Sequence, residues 1–81
     1  MKVEVKLFAV ARQVAGSELV TLELGEAPTV ADVRTALVRR FPALGATMRH
    51  MMMAVDTEYA DDVTPLSRRS EVALIPPVSG G

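Results

Sequence analysis

The sequence predicts an α+β domain: a mixed sheet with one main helix packed on one of its faces. Three observations lead there. Strand patterning sits at both ends of the chain, in residues 2–7, 19–24 and 71–75. One long amphipathic segment, residues 30–41, lies between them. The chain has 81 residues, which is room for a single domain.

Residues 2–7 alternate Lys-Val-Glu-Val-Lys-Leu. Val3, Val5 and Leu7 therefore share one face of a half-buried strand, and Lys2, Glu4 and Lys6 share the other. Phe8 follows on the polar side of that pattern, where an aromatic ring is out of place. Ala9 to Ala15 suits a short helix, and Gly16 offers the left-handed stop that ends one. Val20, Leu22 and Leu24 then alternate with Leu19, Thr21 and Glu23. The two strands are expected to pair antiparallel across a wide connection.

Gly25 to Pro28 reads as a loop. Thr29 reads as a helix N-cap, with Asp32 as its acidic partner near the positive helix end. Val30, Val33, Leu37 and Phe41 recur at helical spacing, and Arg34, Arg39 and Arg40 are expected to face water. Pro42 ends this helix, because the residue before a proline avoids helical geometry. Residues 43–50 form a short helical or irregular connection. Met51 to Val55 is a buried strand, Asp56-Thr57-Glu58 a turn, and Tyr59 to Thr64 holds a short strand piece. Ser67-Arg68-Arg69-Ser70 is a polar turn before the last strand, Glu71 to Ile75. Pro76-Pro77 stops that strand, since neither residue has an N–H for a ladder.

A right-handed crossover through the helix sets the first and last strands side by side. That is the ubiquitin-like β-grasp. The domain is expected over residues 1–77, followed by a flexible tail, residues 78–81.

Composition narrows the chemistry. With no cysteine there is no disulfide, thiolate nucleophile or Cys-ligated metal, and one histidine builds no His-rich metal site. A net charge of −1 lacks the basic excess of a nucleic-acid binder. The doublets Arg39-Arg40 and Arg68-Arg69 read as solvated faces. No apolar run spans a bilayer, and Glu4 and Lys6 interrupt any signal-peptide core. A soluble cytoplasmic protein, bound to neither nucleic acid nor membrane, is the expectation.

No catalytic set of side chains survives inspection. His50 reads as a partly exposed structural residue, and no serine sits in a nucleophile elbow. Asp61 and Asp62 point opposite ways on an extended segment. No Gly-rich phosphate loop exists. Met51-Met52-Met53 reads as core strand or as an adaptable contact surface. Alternation sets Met52 opposite the other two, so both readings can hold.

Gly80-Gly81 is the most specific feature. Glycine is about 7% of residues, so a terminal pair arises by chance in roughly one chain in 200. Here it follows a double proline that drives the chain out of the sheet. Such a tail can thread a narrow channel and present its carboxylate to another protein's active site. The reactive group is then the main-chain terminus itself.

At these residues the sequence resembles the small subunit of molybdopterin synthase, a ubiquitin-like sulfur carrier. The resemblance spans the chain. It rests on Leu7-Phe8-Ala9 with Arg12 and Gly16, on Thr29-Val30, on Ala54-Val55-Asp56, and on Glu71-Val72-Ala73 leading to Pro76-Pro77-Val78-Ser79-Gly80-Gly81. The last stretch is the specific one.

The resemblance implies a mechanism and partners. An activating enzyme uses ATP to adenylate the Gly81 carboxylate, and a sulfur donor displaces AMP to leave a thiocarboxylate. The tail then enters the large synthase subunit and gives its sulfur to a cyclic pterin phosphate, building a dithiolene. Gly81 carries the sulfur, Gly80 permits threading, and Pro76, Pro77, Val78 and Ser79 hold the tail extended. Phe8, Tyr59 and Ile75 match the apolar docking patch, and Arg12 is placed to meet an acidic partner group. The chain itself binds no cofactor, and catalytic side chains belong to the large subunit. The implied assembly is a heterotetramer of two small and two large subunits. Two positions depart from the family pattern. Asp56 stands where Asn is frequent, and Ser67-Arg68-Arg69-Ser70 replaces a Gly/Asp-rich turn, adding local positive charge. Alternative readings are a sulfur carrier for thiamin or another product, a ubiquitin-like modifier, or an inert β-grasp module.

Overall fold

The computed structural model describes residues 1–76. Pro77 and the expected tail, residues 78–81, lie outside the described residues. The elements run β1 (Lys2–Leu7), α1 (Ala9–Ala15), β2 (Leu19–Glu23), α2 (Val30–Arg40), a 3-10 turn (Pro42–Leu44), α3 (Gly45–Met48), β3 (Met52–Val55), β4 (Glu58–Ala60) and β5 (Val72–Ile75). The sheet order is β2-β1-β5-β3-β4. β1 and β5 are parallel neighbours, and the other pairs are antiparallel. The first and last strands thus lie side by side, giving the ubiquitin-like β-grasp.

Register explains the core. Val5 sits between Val20 and Val72, and Leu7 beside Leu74, which in turn pairs with Met53. All six are buried and face the helical layer. α2 covers them with Val30, Val33 and Leu37, each 0% exposed. Leu44, Met48, Met51 and Leu66 fill the flanks. Among the described residues, no helix covers the opposite face of the sheet.

The local signals read from the sequence have physical counterparts. Gly16 takes φ 71, and its N–H reaches the Arg12 carbonyl at 2.9 Å, closing α1. Asp32 accepts the Thr29 N–H at 2.8 Å, the acidic half of a capping box. Pro42 follows α2 and opens the 3-10 turn. Within the methionine run, Met51 and Met53 are 2% and 1% exposed while Met52 is 39% exposed.

Three expectations need correction. The turn after β3 is Asp56-Thr57 alone, with φ 52 and φ 70, and Glu58 already belongs to β4. Two successive left-handed residues match the right-handed twist of a tight hairpin, so no third residue is required. The strand piece expected within residues 59–64 is Glu58–Ala60. Finally, Arg34 does not face water. Its Nε donates to Asp62 Oδ1 at 2.8 Å, and its Nη1 donates to the carbonyls of Met48 and Met51, each at 2.8 Å. The Met48 carbonyl also accepts the Met51 N–H at 3.1 Å, so the guanidinium adds a second bond there and reaches the Met51 carbonyl as well.

Arg34 is therefore a stability residue. Arg34→Met keeps the aliphatic stem but removes both donors. The Met51 carbonyl loses its guanidinium donor while the Met48 carbonyl keeps the Met51 N–H, which should cost about 1.5 kcal/mol and lower Tm by about 8 °C. Thermal unfolding followed by circular dichroism checks this. An unchanged Tm would return Arg34 to the solvated face.

Candidate functional site

The uncovered sheet face is the candidate site, and strand phase builds it. Even-numbered residues of β1 point away from the helices, so Lys2, Glu4 and Lys6 are exposed. Phe8 keeps that phase, with extended φ −129 and ψ 159. The chain bends only at Ala9, which takes φ 50. A non-glycine residue in the left-handed region costs about 1 kcal/mol, and here it lets Phe8 finish the strand before α1 begins.

Two rows of side chains cross this face. In the first, Leu19 pairs with Lys6, Lys6 with Ala73, Ala73 with Ala54, and Ala54 with Tyr59. In the second, Ile75 pairs with Met52, and Phe8 lies one residue beyond the Leu7–Leu74 pair. Phe8 is 46% exposed, Leu19 44% and Tyr59 62%, an unusual share of bare apolar surface for a chain with three aromatic residues. A groove of about 670 Å³ runs over the face, and Phe8, Tyr59 and Ile75 all line it.

The structure thus gathers three of the four expected docking residues in one groove. Arg12 is exposed and lines a separate hollow at the α1–β2 turn, with Gln13, Gly16 and Glu18. Pro76 follows Ile75 directly and is half-buried, so β5 delivers the chain beside Phe8 and Met52. Pro77, Val78, Ser79, Gly80 and Gly81 lie outside the described residues. His50 is exposed, and Asp61 and Asp62 are engaged separately, by Thr64 and Arg34.

Sequence reasoning passed over two contributors. Leu19 lies on the polar side of its own alternation, the same signal that singled out Phe8. The alternation sets Lys6 on the face opposite Val5 and Leu7, but nothing in the strand pattern says that it sits between Leu19 and Ala73. No helix among the described residues is long and apolar enough to cross a membrane.

Comparison with known proteins places the chain in a family. Residues 5–81 match the ThiS family. The molybdopterin synthase sulfur carrier subunit of Chlamydomonas reinhardtii is 37% identical over 83 aligned residues, covering all of both chains. The subunit of the same name from Arabidopsis thaliana is 35% identical over 81, covering all of this chain and 84% of that one. The crystal structure of SAMP1, small archaeal modifier protein 1, from Haloferax volcanii superposes with a TM-score of 0.83 at 35% identity, covering all of both chains. Both the fold and the matched length lead to one assignment: the chain belongs to the ThiS family, as a relative of the sulfur carrier subunits of molybdopterin synthase.

Proposed function

We propose that this chain carries sulfur for a molybdopterin synthase on the main-chain carboxyl of Gly81. The observation that carries the reading is the exit of the chain at Pro76, at the edge of the exposed apolar face of Phe8, Ile75 and Tyr59. A partner seated on that face has the chain end within reach. Five further residues span at most about 17 Å when extended, enough to enter a neighbouring active site.

The chemistry follows from the electronics of a carboxylate. Its carbon resists nucleophiles because either oxygen is a poor leaving group. In an activating enzyme, a Gly81 oxygen attacks the α-phosphorus of ATP and pyrophosphate leaves. The acyl adenylate then carries a good leaving group. A sulfide-level donor forms the C–S bond as the C–O bond to AMP breaks, giving a thiocarboxylate. Docked on the large synthase subunit, the thiocarboxylate sulfur forms a C–S bond to an electrophilic carbon of the cyclic pterin phosphate as that carbon's C–O bond breaks, and water then cleaves the acyl C–S bond, leaving the sulfur on the pterin and the carboxylate on Gly81. This chain supplies the docking face and the carrier carbon, and the partners supply the catalytic side chains. A compartment with ATP and a sulfur donor, such as the cytoplasm, is where this chemistry runs.

Intact mass spectrometry tests the reading. With ATP, an activating enzyme and a sulfur source, the chain should gain the mass of one oxygen exchanged for sulfur. A modifier reading is favoured by the likeness to small archaeal modifier protein 1. It predicts lysine-linked conjugates instead, and those would displace the carrier reading. A carrier for thiamin or another product would load sulfur but fail to serve the synthase.

The docking face makes its own prediction. Phe8→Ala should weaken binding to the large subunit by about 10-fold or more, because exposed aromatic anchors carry much of an interface's energy. Calorimetric titration reads the affinity. Since Phe8 lies outside the buried core, the melting temperature should hold.

A further inference from the structure

The end of the groove has a property that its apolar floor does not account for. Arg68 and Arg69 line it, with Lys6 nearby and Glu4 and Glu71 as the acidic lining residues. Both arginines are exposed. The salt bridges among the described residues are Met1–Glu23 and Arg34–Asp62, so neither arginine is in one.

The turn that carries them is tied down. The Ser67 N–H donates to Ser70 Oγ at 2.9 Å, the Ser70 N–H to the Ser67 carbonyl at 3.1 Å, and the Arg69 N–H to Ser67 Oγ at 3.3 Å. Glu71, next in the chain, is clamped by Asp56. The Glu71 N–H donates to Asp56 Oδ1 at 2.8 Å, and the Asp56 N–H donates to the Glu71 carbonyl at 2.8 Å. Two adjacent cations are thus presented from a fixed backbone, on a chain whose net charge is −1. Among the described residues neither pairs with a carboxylate. What they fit is an anion outside the fold.

We infer that Arg68 and Arg69 form a charge-reading rim on the docking groove, and that the docking partner is a protein presenting a carboxylate-bearing segment beside the apolar side chain it sets in the groove. The inference rests on the docking reading above and adds the partner's chemistry to it. Guanidinium forks match carboxylates bidentately. The groove argues for a protein over a polyphosphate, since its floor of Phe8, Leu19, Tyr59 and Ile75 accepts an apolar side chain and offers a phosphate chain nothing. At an exposed rim such charges act mainly on association rate and on the choice among partners. A partner lacking the acidic segment finds the same floor but leaves two exposed cations without a partner-side anion.

Stopped-flow association of the full chain with the large synthase subunit tests the inference. The wild-type on-rate should fall as salt rises from about 0.05 M to 0.5 M, as screening shortens the reach of the rim. The double variant Arg68→Glu/Arg69→Glu should associate about 10-fold more slowly at low salt and show the opposite salt dependence, its on-rate rising as salt screens the new repulsion, with a much smaller change in off-rate. Arg68→Lys/Arg69→Lys should keep the salt dependence. Because both side chains are exposed, the melting temperatures should stay close to wild type, and Arg68→Gln/Arg69→Gln gives an intermediate rate without charge reversal. If the reversed pair associates at the wild-type rate while Phe8→Ala still weakens binding, the rim inference is overturned and the dock stands. If Phe8→Ala also binds normally and sulfur loading proceeds, the docking reading itself falls. Binding of inorganic phosphate or a short RNA that is lost in the reversed pair, with the subunit's on-rate unchanged, overturns the inference in favour of another anion.

Discussion

Deleting Gly81 alone should reduce sulfur loading by at least about 100-fold, to the background of the assay, while leaving the melting temperature unchanged. The loss follows from geometry. The deletion does not remove the carboxyl group; it moves it to Gly80, one residue closer to the domain. That is a retreat of about 3.5 Å along an extended chain. Misplacing a reacting group by about 1 Å can already cost on the order of 100-fold, since near-attack geometry supplies much of the rate. The stability half follows from the core, which among the described residues runs from Val3 to Leu74. Intact mass after incubation with ATP, the activating enzyme and a sulfur source reads the loading, and a thermal melt reads the fold. Sulfur loading retained in the deletion variant would remove Gly81 from the mechanism.

The contrast with the rest of the molecule explains which features the sequence made legible. β1, β2 and α2 were readable because each has one wet and one dry face, and burial writes that difference directly into the residue pattern. Phe8 was readable as an anomaly for the same reason: a ring on the wet side of β1 has no use inside the fold. Met52 was readable because two buried neighbours of its own kind fix its phase. Arg34 was not. Its partners are two backbone carbonyls and Asp62, 14, 17 and 28 residues away, and a carbonyl carries no sequence signature. The groove was only half readable. Pattern assigns each residue to a face, but Leu19, Lys6, Ala73, Ala54 and Tyr59 become one row only through pairings among five strands. The arginine pair was visible as charge and read as solvated. What the sequence did not contain was its position at the end of an apolar floor.

Leu37→Ala should be the most destabilising of the single substitutions considered. Leu37 is 0% exposed, in the middle of α2, where the helix meets the sheet. Truncating a buried leucine costs about 3 kcal/mol, from lost transfer energy and the cavity left behind. A domain of this size has on the order of 4–12 kcal/mol in total, so a quarter or more of its stability goes with one side chain. The expected fall in Tm is about 15 °C. No disulfide offsets the loss, because the chain has no cysteine. Urea unfolding measures it, as a lower midpoint at unchanged slope. A loss below about 1 kcal/mol would mean that α2 collapses onto the cavity and that the helix is not the main clamp on the sheet. The effect on docking should be the opposite of that of Phe8→Ala. At temperatures where both variants are folded, Leu37→Ala should still bind the large subunit, because Leu37 lies on the far side of the sheet from Phe8, Ile75 and Tyr59. One residue tests what holds the sheet together, the other what the sheet holds out to a partner.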